Sequence, residues 1–240
     1  MNDAAVKTAI VTGASRGLGL ALARALAERD WRLVIDARGG EDLEQVRDEL
    51  SDIAEVSALA GDVADDWHRA ALVAEAGRQV DVLVNNASVL GPSPLPTVAD
   101  LPLAAFEYIV QVNALAPLAL VQRVLERMPA GGRILNVTSD AAVEAYEGWA
   151  GYGASKAALE QLTRVLAAER PDLRAYAVDP GDMRTRMHQD AFPGQDISDR
   201  PPPEESVPGL LELIEGDLPS GRYAARELEG GRSDRAWATS

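Results

Sequence analysis

Two rhythms of apolar residues alternate along this chain. The runs TAIVTG, WRLVIDA, VSALAGDV, VDVLVNNA, GRILNVTS and LRAYAVDPG are short, nearly continuous in hydrophobic residues and closed by a turn-forming or polar cluster, the pattern of strands buried on both faces. Between them, over Leu18 to Arg29, Glu41 to Leu50, Trp67 to Gly77, Ala104 to Met128 and Tyr152 to Arg170, apolar positions recur three and four residues apart, which predicts helices with one face against a core. Strand and helix therefore alternate. The packing that covers such strands is an α/β fold, one open, doubly wound parallel sheet with helices on both faces and right-handed crossovers. The rhythm stops at Gly181. Residues 182–208 are polar and proline-rich, too long for an ordinary connection, and are expected to form a lid over a substrate site. One more helix in PGLLELI and one more strand in SGRYAA are expected to follow. Residues 1–226 read as a single domain, with 227–240 as a flexible C-terminal tail.

Composition limits what such a domain binds. A chain of 240 residues, 47% of them hydrophobic, can bury a substantial core. Its formal net charge of -15 repels phosphate backbones and anionic lipid, and no basic cluster offsets it, so neither nucleic acid nor a membrane surface is an expected partner. The absence of cysteine removes disulfides and thiolate chemistry, and His68 and His188 lie too far apart to suggest a metal motif, so no metal is expected. The N-terminus lacks a basic segment followed by a long apolar one, and no apolar run approaches the roughly 20 residues of a membrane span; a cytoplasmic location is the expectation.

The first apolar run leads into TGASRGLGLALARAL. Glycines at 13, 17 and 19 supply a tight turn, a close approach for a pyrophosphate and close helix packing, while the helix N-terminus offers unpaired N–H groups to phosphates. Gly13, Ser15, Arg16, Gly17, Leu18 and Gly19 are thus candidate dinucleotide ligands in a Rossmann-like fold. Cofactor choice is written at the end of the second run, LVIDARGG. An arginine there pairs with the 2′-phosphate of NADP, and a carboxylate there bonds the ribose of NAD. Asp36 and Arg38 share a strand face, and Arg38 lies beyond the strand end with Arg16 nearby, so NADP(H) is the preferred reading and NAD(H), held by Asp36, the alternative.

Only two lysines occur in the chain, and one of them sits in WAGYGASKAALEQL. Tyr152 and Lys156 lie one helical turn apart on one face, about 6 Å from each other. Tyrosine is a poor acid near neutral pH, with an ordinary pKa of about 10, and an adjacent ammonium lowers that value. The small residues Gly153, Ala154 and Ser155 are expected to leave room for a cofactor against this turn. Ser139 closes a strand at the sheet edge where ligands bind, and its hydroxyl can hold a carbonyl or alcohol oxygen there. Pro117, inside a long helical run, lacks the N–H that would bond the carbonyl of Asn113; a kink is expected, with that carbonyl free to hold a water.

Taken together, TGASRGLG at 12 to 19, GDV at 61 to 63, NNAS at 85 to 88, VN ending at Asn113, VTS ending at Ser139, YGASK at 152 to 156 and PGDMRT at 180 to 185 resemble the classical short-chain dehydrogenase/reductase family. The likeness runs from residue 6 to about 186. It implies a catalytic tetrad of Asn113, Ser139, Tyr152 and Lys156, with Tyr152 and Lys156 also touching the cofactor. It further implies Asp62 and Val63 beside the adenine, Asn86 and Ala87 along the cleft, and Pro180, Gly181, Met183 and Thr185 at the nicotinamide end. Alanine at 37 with a basic residue at 38 matches the NADP-preferring pattern. The implied activity is reversible hydride transfer between nicotinamide and a small carbonyl or alcohol substrate, chiefly carbonyl reduction, by a homodimer or homotetramer.

Two departures from the family stand out. Ser88 occupies the position where relatives carry glycine, and the C-terminal end lacks the glycine-rich segment that closes many of them. Other readings are an NAD-dependent alcohol dehydrogenase of the same family, a sensor that binds NADP without turnover, and a nucleotide-sugar epimerase or dehydratase, for which the chain is short. The lid offers Arg184, Arg186, Met187, His188 and Phe192, with His188 expected to face solvent.

Overall fold

The computed structural model describes residues 6–228. Its centre is a seven-stranded sheet, all parallel, built from β1 (Thr8–Val11), β2 (Arg32–Ala37), β3 (Val56–Ala60), β4 (Val82–Asn85), β5 (Arg133–Val137), β6 (Arg174–Asp179) and β7 (Gly221–Ala224). The strands run in the order β3-β2-β1-β4-β5-β6-β7, so the chain reverses its direction of winding between β1 and β4. Such a switch point opens a crevice at the carboxyl ends of the strands.

Residue alternation along each strand splits the core into two layers. Ala9 and Val11, with Leu33 and Ile35, face α1 (Gly17–Ala27), α2 (Gly40–Ser51) and the later α8 (Val207–Glu215). Ile10, Val34, Leu83 and Ile134 face the other way, onto Leu72 and Val73 of α3 (Asp66–Glu75) and Leu120, Val121 and Val124 of α5 (Ala116–Val124). A strand buried on both faces has no polar side to show. This is why the runs read from the sequence were continuous rather than alternating.

α4 (Leu103–Val110) continues into α5 through a π-helical turn at Gln111–Leu115. The Ala116 N–H bonds the Gln111 carbonyl, five residues back, and Pro117 opens the α-helix that follows. The break foreseen at Pro117 therefore takes the form of a widened turn ahead of the proline and centred on Asn113. An 18-residue stretch of the combined helical run, Leu103–Arg127, has a mean hydropathy of 1.5, and by length and composition alone the run could cross a membrane, which sequence reading did not anticipate. Here it packs against α3, β4 and α6 (Ala150–Glu169), as an interior helix does.

The expected lid is more ordered than its composition suggested. Thr185 caps α7 (Arg186–Ala191), accepting from the His188 N–H, and the Arg184 N–H donates to the Pro201 carbonyl across the loop. Of the expected tail, Glu227 belongs to α9 (Ala225–Leu228); residues 229–240 lie outside the described residues.

Candidate active site

A cleft of about 570 Å³ lies over the carboxyl ends of β1, β2, β4, β5 and β6. At one end is the turn from β1 into α1. Gly13 has φ +69°, and a Cβ there would come within 2.9 Å of the Ala87 backbone, so only glycine fits. A Cβ at Gly19 would run into the Gly13 carbonyl and, at 2.6 Å, into the Asn86 amide. The turn is also tied down by polar contacts: Thr12 Oγ1 accepts from the Asn86 and Ala87 N–H groups, and Asn86 Nδ2 donates to the Thr12 and Gly13 carbonyls. Arg16 is the first flanking residue of α1. The helix has no side-chain cap and no acid in its first turn, so its leading N–H groups face the cleft as an anion site. Ser15, Arg16, Gly17 and Leu18 line the cleft there, as do Asp62, Val63, Asn86 and Ala87 further along.

Asp36 and Arg38 take different roles. Asp36 is buried, with Oδ1 accepting from the Gly13 N–H at 2.7 Å and Oδ2 paired with His68 Nε2 at 3.0 Å. Burial pushes its carboxyl above the ordinary range, and the two hydrogen bonds pull it back down. Asp36 is thus a clamp joining β2 to the glycine turn and to α3. Arg38 stands outside the strand end and donates to the Tyr108 hydroxyl at 3.1 Å, which in turn donates to Asp62 Oδ2 at 3.1 Å. Neither the His68 clamp nor Tyr108 was foreseen, since their partners lie far away in sequence.

At the other end Ser139, Tyr152 and Lys156 line the cleft, and Asn113 sits behind them, tied to Ser88 and Ser155. Asn113, in the π turn, is fully buried: its Oδ1 accepts from the Ser88 hydroxyl (3.0 Å) and the Val89 N–H (2.9 Å), and its Nδ2 donates to the Val89 carbonyl and to Ser155 Oγ. Lys156 is buried, with Nζ donating to the Val137 carbonyl at 2.8 Å and lying 5.4 Å from the centre of the Tyr152 ring. Ser139 lines the cleft beside them, but its hydroxyl donates to Asp140 Oδ1 at 2.8 Å. Trp149 meets the Tyr152 ring edge-on, 5.7 Å between centres, and Phe192 packs on Trp149.

The electrostatics differ from the simple picture of lysine activating tyrosine. Burial dominates both groups, pushing the Tyr152 phenol up and the Lys156 ammonium down to about 7. Asp179, at the end of β6, raises Tyr152 further, whereas the Ser88 hydroxyl nearby favours its phenolate. Asp179 is itself held by Arg222, which also pairs with Glu160 at 3.0 Å and donates to the Ser139 carbonyl at 3.2 Å. This half-buried network beneath the site was not read from the sequence.

Two expectations fail. Gly153, Ala154 and Ser155 do not line the cleft. A Cβ at Gly153 would approach the Ala141 carbonyl to 2.5 Å, and Ser155 is buried between Asn113 and the Tyr152 carbonyl, so these two serve helix packing, while Ala154 is exposed. His188 does not face solvent: its side chain is only 10% exposed, packed at a tilt against Phe192 with 4.9 Å between ring centres, and close to Asp182 and Arg200. Pro180, Gly181, Met183 and Thr185 do line the cleft, Thr185 beside Gly17 of the glycine turn.

Residues 7–196 match the family model described as short chain dehydrogenase. A short chain dehydrogenase of Penicillium thymicola is 37% identical over 172 residues, covering 67% of this chain and 62% of that protein, so this chain spans less than two thirds of that relative's length. A benzil reductase ((S)-benzoin forming) of Saccharomyces cerevisiae is 31% identical across 93% of this chain and 91% of its own. Among solved structures, an alcohol dehydrogenase from the archaeon Thermococcus sibiricus complexed with 5-hydroxy-NADP superposes with a TM-score of 0.80, at 30% identity over 92% of this chain and 96% of that one. With the parallel sheet, its switch-point cleft and the matched residues all agreeing, the chain belongs to the short-chain dehydrogenase/reductase family.

Proposed function

We propose that this chain is an NADP(H)-dependent oxidoreductase that reduces a small carbonyl compound reversibly, with residues 182–208 forming the lid of its substrate pocket. The observation that carries this reading is that Tyr152, Lys156 and Ser139 line one end of the cleft, with Asn113 packed behind them against Ser88 and Ser155, while the other end is a glycine turn that a single Cβ would close.

The cleft suits a dinucleotide at both ends. Gly13, Ser15, Arg16, Gly17, Leu18 and Gly19 would hold the pyrophosphate against the uncapped helix, with Arg16 and Arg38 on the 2′-phosphate. Both oxygens of Asp36 are already engaged by Gly13 and His68, which favours NADP over a cofactor whose ribose needs a free carboxylate. Asp62 and Val63 would flank the adenine, Asn86 and Ala87 would line the cleft along the cofactor, and Pro180, Gly181, Met183 and Thr185 would hold the nicotinamide. When bound, the reduced nicotinamide supplies hydride to the carbonyl carbon.

The residues of the chain carry the rest. Tyr152 donates its phenolic proton to the carbonyl oxygen as negative charge grows there, and the Ser139 hydroxyl, turned from Asp140 toward the substrate, polarises the same oxygen. Lys156, with its ammonium near its titration point, stabilises the resulting phenolate and returns a proton to it through a water at the Asn113 carbonyl. Trp149, Leu90 and Met187 form an apolar wall that orients the substrate and thins the water around it. The exposed Tyr108, Leu115 and Val165, on α4, the π turn and α6, lie on the helices through which we assign a homodimer or homotetramer.

A panel of aldehydes, ketones and quinones, benzil included, with NADPH and with wild type and Tyr152→Phe tests the proposal. Tyr152→Phe is expected to keep cofactor binding and lose turnover by about 10²-fold or more. Undiminished turnover in that variant refutes it. Tight NADPH binding without turnover of any carbonyl by the wild type would favour a sensor.

A further inference from the structure

Asp140, Asp179 and Asp182 bring carboxylates to the cleft from the ends of β5 and β6, and they are not equivalent. Asp179 is held by Arg222 at 3.2 Å, and Asp182 lies near His188 and Arg200 at 3.8 and 3.7 Å. Asp140 is exposed and pairs with no cation among the described residues. Its partners are neutral donors: Oδ1 accepts from the Ser139 hydroxyl and the Ala141 N–H, both at 2.8 Å, and Oδ2 accepts from the Tyr146 hydroxyl at 3.0 Å.

One of those donors has other work. When the Ser139 hydroxyl turns its hydrogen to a substrate oxygen, Asp140 Oδ1 keeps only the Ala141 N–H and stands 2.8 Å from the serine oxygen, next to the reacting carbonyl. A charged donor on the substrate fills that place best. An oxygen and a nitrogen on adjacent carbons are about one hydrogen-bond length apart. A carbonyl flanked by an ammonium group therefore sets its oxygen on Ser139 and its nitrogen on Asp140 at once, through two side-by-side hydrogen bonds. The protein's own cations do not compete, since Lys156 is committed to the Val137 carbonyl and Arg222 to Glu160 and Asp179. The apolar side of the site is aromatic. Trp149 lines the cleft and meets the rings of Tyr152 and Phe192, and Tyr146 joins the two features, with its hydroxyl on Asp140 and its ring centre 6.5 Å from that of Trp149.

We propose that Asp140 is the specificity-determining residue of the substrate site and that the substrate is an α-amino ketone, bound in its ammonium form with an aryl or similarly apolar body against Trp149. The inference rests on the carbonyl reduction proposed above and names its substrate class; the hydride and proton transfers are unchanged. The pairing also assists the chemistry. The charges of Asp179 and Asp140 disfavour the Tyr152 phenolate, and an ammonium held by Asp140 offsets them, whereas a neutral ketone leaves them in place.

α-Aminoacetophenone and propiophenone test the assignment, because they differ only in carrying an ammonium or a methyl group beside the carbonyl. With NADPH, below neutral pH where the amine is protonated, the wild type is expected to favour the amine in kcat/KM by about ten- to a hundredfold. Asp140→Asn retains an acceptor oxygen for the Ala141 N–H and is expected to abolish that preference. Equal kcat/KM for the two ketones in the wild type overturns the proposal, as does a preference that survives in Asp140→Asn. If neither ketone is turned over, calorimetry of the NADP⁺ complex with the corresponding alcohols decides. Phenylethanolamine is expected to bind about tenfold or more tighter than ethyl phenyl carbinol, with the gap lost in Asp140→Asn, and the absence of a gap in the wild type overturns the proposal. If benzil and the rest of the carbonyl panel are not reduced either, the proposed function is what fails, and the calorimetric comparison still decides the part played by Asp140.

Discussion

Replacing Lys156 by methionine should make the protein more stable while disabling it. The ammonium is 1% exposed, and burial carries its pKa from 10.5 down to about 7. At about 1.4 kcal/mol per unit, holding that lysine out of water costs the folded state about 4 kcal/mol near neutral pH. The folded chain releases the proton above about 7 and the unfolded chain keeps it up to 10.5, so in that window the unfolded state binds more protons and stability rises with pH. The cost is therefore full below pH 7 and gone above 10.5. Methionine fills a similar volume without charge, but it leaves the Val137 carbonyl without its donor, a loss of about 1–3 kcal/mol. The variant should gain about 1–3 kcal/mol at pH 7, and by pH 10.5 the gain should turn into a deficit of similar size. Urea unfolding of both proteins at several pH values measures this difference directly. A stability difference that does not change with pH would refute the desolvation argument, whatever its sign.

Two further substitutions probe the ends of the cleft. Arg38→Ala should weaken NADPH binding about ten- to a hundredfold and leave NADH nearly unchanged, as read by calorimetry at fixed salt; equal losses would mean the 2′-phosphate is held elsewhere. Arg222→Met strands Glu160 and Asp179, both largely buried, and should cost about 3–5 kcal/mol in denaturant unfolding. A loss below about 1 kcal/mol would show that solvent already screens the network.

How much of this was legible depended on the range of the interactions involved. The inner strands could be read because both their faces are buried, and the glycine turn and YGASK because their chemistry is packed into neighbouring positions. Asn113 was found by counting hydrogen bonds to Pro117, although the local answer is a π turn rather than a kink. What escaped notice depends on partners brought together only by the fold. His68 reaches Asp36 from another element, Tyr108 links Arg38 to Asp62, and Arg222 on the last strand supports α6 and β6. α7 spans only Arg186–Ala191, too few turns for a periodicity to register. The small residues after Tyr152 were misassigned because a close-packed helix and an open cofactor wall demand the same side chains. Spacing alone also carries no information about burial, which is why lysine's effect on tyrosine was overestimated.

The π turn has a consequence for how this centre tolerates change. A π turn is an α-helix that has absorbed one additional residue, so α4 and α5 each keep their apolar face inward while Asn113 occupies the slack between them. Deleting the exposed Leu115 would let the helix close into regular α form without disturbing the packed faces on either side. It would also turn Asn113 by about 100° relative to α5 and away from Ser88 and Val89. The loss of a single surface residue would thus leave a folded protein with a disarmed centre, whereas an insertion or deletion elsewhere along that helix would turn its apolar face by about 100° out of the core.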